Sequence, residues 1–425
     1  MHTAITRAFK RYHLFGFTGT PIFSVNAGSG GNPQLRTTEQ AFGEKLHTYT
    51  IVDAITDRNV LPFRIDYVNT IKLPEGVVDE QVSAIDTEKA LLAPERISQI
   101  VGYTLEHFDQ KTRRAEQYSL SGKRVRGFNA LFATASIEAA KRYYLELKEQ
   151  QKELLPDRRL KIGIIFSYAP NEAVDDYLDE EGFETGALDR SSRDFLDDAI
   201  RDYNAMFGTS FDTSADRFQN YYKDLSLRLK SREIDLVVVV NMFLTGFDST
   251  TLNTLFADKN LRAHGLMQAY SRTNRILNSV KTYGNIVSFR DLEQETNDAI
   301  AIFGNKDARG IVLLKPYSDY YSVYAAKVAL LLLEYPPGTR IVGESAQKEF
   351  IALVGAILRL QNILASFDDF AGNEILSDRQ AQDYRSVYLD LYAELRGKVD
   401  ADKAPINDDI VFEIELIKQV EVNVD

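Results

Sequence analysis

Two arginines three residues apart, Arg272 and Arg275, close the stretch "QAYSRTNR", with Gln268 four residues before the first of them. On a helix, residues at i, i+3 and i+4 share one side, so this spacing gathers a carboxamide and two guanidiniums. A guanidinium has a fixed charge and a planar fork of donors, which suits the spread negative charge of a phosphoryl group in transfer. An isolated pair of this kind is more often a surface pair bridged to local acids. A second segment, "NMFLTGFDST" (Asn241 to Thr250), follows the apolar run "DLVVVV". There Gly246 permits close backbone approach to a phosphate or ribose, Thr245 offers a hydroxyl, and Asp248 can accept from a sugar hydroxyl or hold an arginine. Its plainer reading is a strand-to-helix turn with an Asx-type cap.

Such groups need a scaffold, and the hydrophobic pattern supplies one. "LPFRIDYVNTI" alternates as a strand, and "PERISQIVGYTLEHF" places Pro94 at a helix start ahead of helical spacing. "FNALFATAS" reads as a strand, followed by the helix "SIEAAKRYYLELKEQ" with Ser136 as N-cap. "LKIGIIFSYA", "IDLVVVVN", "LNTLFADK" and "YGNIVSF" are further strands, with helices at "RFQNYYKDLSLRLKS" and "HGLMQAYSRTNRI" between them. Continuous apolar strands alternating with helices predict an α/β fold around a parallel sheet covered on both faces. From about Leu292 the chain turns mainly helical, and a short strand is expected at His13 to Phe17, before the turn at Gly19 and Pro21. In an open parallel sheet, ligands meet the carboxyl ends of the strands. "GFTGTP" (Gly16 to Pro21), "FATAS" (Phe132 to Ser136), "NMFLTGFDST" and "QAYSRTNR" are the polar segments expected there.

The chain has 425 residues, 44% of them apolar and 26% charged, which is globular chemistry on the scale of two to three domains. It has no cysteine, so disulfides and thiolate metal sites are excluded, and a reducing, cytoplasmic setting fits. Its longest apolar runs fall short of a membrane span. The five histidines show no paired spacing, so no metal site is expected. The formal net charge of −12 argues against a globally basic nucleic-acid binder but allows a local basic surface. Residues Asn171 to Ile200 are densely acidic, whereas Gln110 to Gly127 are basic and read either as a solvated face or as a polyanion contact. The aromatics of "KRYYLEL" and "YSDYYSVYAAK" fall at helical spacing and read as packing residues.

Taken in order, "TGTP", "FATASIEAAKRYY", "VVVVNMFLTGFD" and "QAYSRTNR" resemble motifs III, IV, V and VI of superfamily 2 helicases and translocases. Motif VI is usually written Q-x-x-G-R-x-x-R; Gln268, Arg272 and Arg275 match it, and Ser271 replaces the glycine. The words between the motifs, such as "FGFTGTPIF", "VLPFRIDY" and "DKNLRAHGLMQAYSRTNRI", look like the motor (R, restriction) subunit of type I restriction–modification enzymes. The resemblance implies a remnant of a first RecA-like domain over residues 1–48, a second RecA-like domain over 49–295 and an α-helical domain over 296–425. It implies that Thr18, Gly19 and Thr20 couple nucleotide state to DNA, and that Thr134, Ser136 and Thr245 contact the DNA backbone. Gln268, Gly246 and Asp248 would then lie at the ATP cleft, with Arg272 and Arg275 as the catalytic arginines reaching the phosphates. The implied cofactors are ATP and Mg²⁺. The implied partners are double-stranded DNA and the methyltransferase (M) and specificity (S) subunits, with no membrane.

The sequence departs from the family pattern in one large respect. It has no G-x-x-x-x-G-K-[ST], and no D-E-x-H after an apolar strand ahead of Gly16. The loop that cradles the phosphates and the Mg²⁺ carboxylate are therefore expected upstream of Met1, together with any nuclease, making this chain a C-terminal part that is inactive alone. Two other readings stay open: a helical module that docks on the methyltransferase core, and a superfamily 2 translocase without restriction activity.

Overall fold

The structure is a computed structural model that describes residues 8–9, 11, 13–27, 36–68, 90–167, 190–278, 280–304, 312–365 and 367–399. Residues 28–35 and the acidic residues from 171 to 189 lie outside them. In chain order the strands are β1 (Phe63–Tyr67), β2 (Gln117–Leu120), β3 (Lys123–Arg126), β4 (Asn129–Thr134), β5 (Ile162–Ile165), β6 (Leu236–Val239), β7 (Leu252–Asp258) and β8 (Gly284–Ser288). The α-helices are α1 (Thr38–Phe42), α2 (Ile51–Thr56), α3 (Pro94–Lys111), α4 (Ile137–Gln150), α5 (Arg190–Phe207), α6 (Ala215–Lys230), α7 (Ala263–Tyr270), α8 (Glu293–Phe303), α9 (Tyr317–Glu334), α10 (Glu344–Leu364) and α11 (Asp378–Val399). The chain forms two compact units. One falls within residues 1–112, 128–275 and 283–313, the other within 113–127, 276–282 and 314–425.

The first unit carries a six-stranded sheet in the order β1-β8-β7-β4-β6-β5, with every neighbouring pair parallel. All residues of β4, β5, β6, β7 and β8 are buried, as strands covered on both faces must be. Rings of Phe132, Phe256 and Phe289 stack across the sheet at centroid spacings of 6.1 to 6.5 Å. Helix starts follow local chemistry. Ser136 Oγ accepts from Ala139 N at 3.2 Å to open α4, and Thr50 with Asp53 forms a capping box at α2. The end of α3 is sealed from the sheet, because the Lys111 carbonyl accepts from Asn253 Nδ2, Thr254 Oγ1 and Asn285 Nδ2.

The α/β class and the parallel sheet are as the sequence predicts. The strand expected at His13 to Phe17 is not formed: these residues have no regular secondary structure, and Phe17 is 96% exposed. A strand needs a ladder partner, and none of the described strands lies beside it. Helix α8 belongs with the sheet unit, where Tyr270 of α7 meets Thr296 of α8 at 3.3 Å, and the 295/296 boundary falls inside that helix.

The second unit contains the β2–β3 hairpin and helices α9, α10 and α11. Its packing is aromatic. Tyr324 is fully buried against Phe370, and Phe350 contacts Tyr335 and Tyr384, whose hydroxyl donates to Tyr335 O at 2.7 Å. The packing role read for "YSDYYSVYAAK" holds for Tyr324, as it does for Tyr143 and Tyr144 in the first unit.

Candidate functional site

Three sequence-distant segments meet around the end of α7. Gln268 Nε2 donates to Thr20 Oγ1 at 3.0 Å across 248 residues of chain. Arg272 donates through Nη1 to Phe247 O at 2.5 Å and through Nε to Gln268 O at 3.0 Å. Arg275 Nε pairs with Asp248 Oδ1 at 2.9 Å, with side chains 44% and 63% exposed. Gly246, beside these partners, has φ +64°, and a Cβ there would meet nothing within 4 Å. Its left-handed backbone is one that only glycine adopts readily, and open space adjoins it. The loop carrying it is held from inside, because Phe243 stacks on Tyr222 at 5.0 Å and meets Phe247 in a tilted contact at 4.5 Å. That packing keeps Phe243 at φ +68°, a strained value for a bulky residue.

Two expectations about this cluster need correction. The arginines are not helical, since α7 ends at Tyr270 and Ser271–Thr273 form a turn. Thr273 directs both its N–H and its hydroxyl to Tyr270 O, at 2.9 and 2.8 Å, which closes the helix. Nor do they lie at the carboxyl ends of the strands. Asn274 O accepts from Leu61 N just before β1, and a Cβ on Gly284, the first residue of β8, would fall 2.3 Å from Thr273 Oγ1. Phe247 and Asp248 likewise precede the start of β7. The cluster therefore sits at the amino edge. The physical reason is that α7 leaves the carboxyl end of β7 and runs back along the sheet, about 12 Å over eight residues.

The carboxyl edge holds a different set. Asp258, at the end of β7 and 2% exposed, accepts from Arg96 Nη1 at 2.9 Å and Nη2 at 2.6 Å, from Arg290 Nε at 2.6 Å and from Tyr143 Oη at 2.8 Å. Burial opposes its charge, but the Arg96 hydrogen bonds and the charges of Arg290 and Arg96 outweigh that and hold the carboxyl below the usual range. Burial and then Asp258 push the Tyr143 phenol up. The next residue, Lys259, places Nζ 3.1 Å from Val240 O, 2.8 Å from Asn241 Oδ1 and 3.5 Å from Thr134 O. It has no carboxylate partner among the described residues, and burial lowers it to about 8. The edge thus carries three cations, Arg96, Lys259 and Arg290, around one acid.

The predicted residues divide between the two edges. Thr20, Gly246, Asp248, Gln268, Arg272 and Arg275 come together at the amino edge, with Thr18 and Gly19 exposed beside Thr20, whose N–H donates to Thr18 Oγ1 at 3.1 Å. Thr245 is part-exposed on the same loop. Thr134 is separate and fully buried, and its hydroxyl donates to Val239 O at 3.1 Å. That hydroxyl is used inside the sheet and is not available to a DNA backbone. Ser136, half-buried, spends its hydroxyl on the α4 cap. Arg96, Tyr143, Asp258, Lys259 and Arg290 were not singled out by sequence, although an Asp-Lys pair ending an apolar strand is a legible signal. Among the described residues no three His, Asp or Glu are grouped to hold a metal, and no helix is long and apolar enough to cross a membrane.

Residues 126–291 match the family model for type I restriction enzyme subunit R domain 3. Residues 312–425 match that for the type I restriction and modification enzyme subunit R C terminus, and residues 1–94 match SWI2/SNF2 ATPase. The type I restriction enzyme SauCOLORF180P endonuclease subunit of Staphylococcus aureus (strain COL) is 37% identical over all of this chain, which spans 44% of that protein's length. The SsaAORF53P endonuclease subunit of Staphylococcus saprophyticus is 36% identical over the same shares. A solved fragment of an HsdR subunit from Vibrio vulnificus YJ016 aligns over 64% of this chain and 39% of its own, at 13% identity and a TM-score of 0.37. With relatives along its whole length and R-subunit models matched over both its sheet and its helical region, the chain belongs to the R subunits of type I restriction enzymes.

Proposed function

We propose that this chain forms the second half of an ATP-driven motor on double-stranded DNA, acting in the cytoplasm within a restriction endonuclease that also contains M and S subunits. In this reading the chain is not active alone. ATP and Mg²⁺ are held mainly by the other half of the site, and this half supplies Gln268, Gly246, Asp248, Arg272 and Arg275. Thr18, Gly19 and Thr20 transmit nucleotide state, and Thr245 and Ser136 face the DNA backbone.

The observation that carries the reading is the meeting of Thr20, Gln268, Arg272 and Arg275 with the Phe247–Asp248 turn at the amino edge. These residues fit a nucleotide phosphate. The Arg275–Asp248 pair is exposed, and exposed pairs contribute only about 0–1 kcal/mol, so a phosphate can take the guanidinium from Asp248 at little cost. Arg272, by contrast, is bonded to two carbonyls and held in place. Losing an arginine that meets the transferring phosphoryl lowers turnover by about 10³-fold. Arg272→Ala in the intact R subunit is therefore expected to abolish DNA-dependent ATP hydrolysis while circular dichroism stays native. Turnover at the wild-type rate would remove Arg272 from the mechanism.

A further inference from the structure

The basic stretch Gln110 to Gly127, ambiguous in sequence, contains the β2–β3 hairpin. Ser121 (φ +49°) and Gly122 (φ +79°) make its two-residue turn, both in the left-handed region that matches strand twist. Register pairs Tyr118 with Val125 and Ser119 with Arg124, so alternation separates two faces. Tyr118, Leu120 and Val125 share one face with Lys123, while Gln117, Ser119, Arg124 and Arg126 share the other. Tyr118 is 2% exposed, and its hydroxyl donates to Gly127 O at 3.0 Å, which marks its face as the inner one. The base is fixed as well. Gly127 N donates to Glu116 O at 2.8 Å, and Arg113 Nη1 to Asn362 O at 3.0 Å.

Charge sets this hairpin apart. Residues 113–127 hold five arginines and lysines against the single acid Glu116, in a chain of net charge −12. Arg113 takes Glu116 at 3.5 Å. Lys123, Arg124 and Arg126 are exposed, and their side chains make no ion pair or hydrogen bond with any described residue. Several exposed cations elsewhere pair with local acids, as Arg142 does with Glu138, Lys152 with Glu149 and Arg217 with Asp212. Three cations kept solvated within four residues of one hairpin strand, in a chain of net charge −12, suit an external polyanion.

We propose that the outer face and tip of this hairpin bind the phosphodiester backbone of duplex DNA through Lys123, Arg124 and Arg126. The inference rests on the DNA motor reading above and adds a contact outside its motifs. Arg124 and Arg126, two residues apart on one strand, are spaced by about 6.7 Å, close to the step between successive phosphates of one DNA strand. Contacts of this kind position a protein without reading sequence, which is what tracking along DNA requires.

The test is anisotropy titration of the whole 425-residue chain on two unrelated duplexes across a salt series. Each lost phosphate contact lowers the log-log salt slope by about 0.9, so Lys123→Gln with Arg124→Gln and Arg126→Gln is expected to lower it by about 2 to 3, equally on both duplexes. Arg124→Lys with Arg126→Lys, which keeps the charge, is expected to keep the slope. An unchanged slope in the triple glutamine variant, beside a wild type that binds, overturns the hairpin site and leaves the motor reading standing. A wild type with no salt-dependent duplex binding overturns both. Loss of polyglutamate binding with an unchanged DNA slope overturns the proposal in favour of an acidic protein partner.

Discussion

Asp258→Ala is the perturbation whose effect follows most directly from the structure. The carboxylate accepts four hydrogen bonds, three of them from the buried guanidiniums of Arg96 and Arg290. Removing it leaves two cations without their acid, and an unmatched buried charge typically costs about 3 to 5 kcal/mol. The four bonds share one acceptor group, so their separate contributions do not add, and about 4 kcal/mol is expected. With a urea slope of about 2 kcal/mol per molar, the midpoint of the sheet unit's transition should fall by about 2 M. Arg290→Met should do less, because Arg96 and Tyr143 still satisfy the carboxylate; about 1 to 2 kcal/mol is expected for that charged hydrogen bond. The pH dependence has a definite sign. A carboxyl lowered in the folded state stabilises it fully above the unfolded value of about 3.9, and that contribution fades as pH falls through the lower folded value. The gap between wild type and Asp258→Ala should therefore close in acid. A loss under 1 kcal/mol at pH 7, or an equal loss for the two variants, would refute the account of Asp258 as the shared counter-charge.

Two further outcomes are expected. Lys259 has its folded value lowered to about 8, so the cost of burying its charge is full below that pH and is relieved as pH rises toward 10.5. Wild type should gain up to about 3 kcal/mol relative to Lys259→Met across that window, and parallel stability curves would show that the ammonium is solvated instead. The Gln268–Thr20 hydrogen bond should appear as a coupling of about 1 kcal/mol in a cycle of Gln268→Ala and Thr20→Val, read by urea unfolding. Additive losses would mean that the two segments do not support each other.

The sheet was legible because its strands carry their own signature. "NALFAT" and "LVVV" are apolar throughout, and a strand buried on both faces has no other way to read. Caps were legible where one residue decides them, as at Ser136. The hairpin was missed because its four-residue strands are part polar and its turn is a bare Ser-Gly, so a charge count masked a period of two. The placement of the arginines failed for a tertiary reason. Helical spacing continued past Tyr270, but Asn274 is drawn to Leu61 and Thr273 packs on Gly284, contacts more than ten residues away that no local window contains. Membership in the family did not depend on that placement, since it rests on matched residues along the chain.

The place of the arginines at the amino edge changes how the proposed motor would work. If nucleotide meets the amino edge, its state reaches the carboxyl edge only through a rigid connection along the same strands. β7 and α7 provide one, because Asp258 and Lys259 end the strand and the helix returns from there to Gln268 and Arg272. Lys259 ties the strand end to Val240 and Asn241, and Asn241 begins the loop whose far side, Phe247 and Asp248, holds both arginines. The loop and the helix thus form a closed circuit between the edges, clamped by a cation at one end and by two guanidiniums at the other. In such a circuit, a phosphate that takes Arg275 from Asp248 would pull on a loop whose other end is fixed at the carboxyl edge. The weak, exposed pair is then the element free to change, while the buried Asp258 cluster is the anchor that turns its movement into a displacement of the loop and not of the sheet.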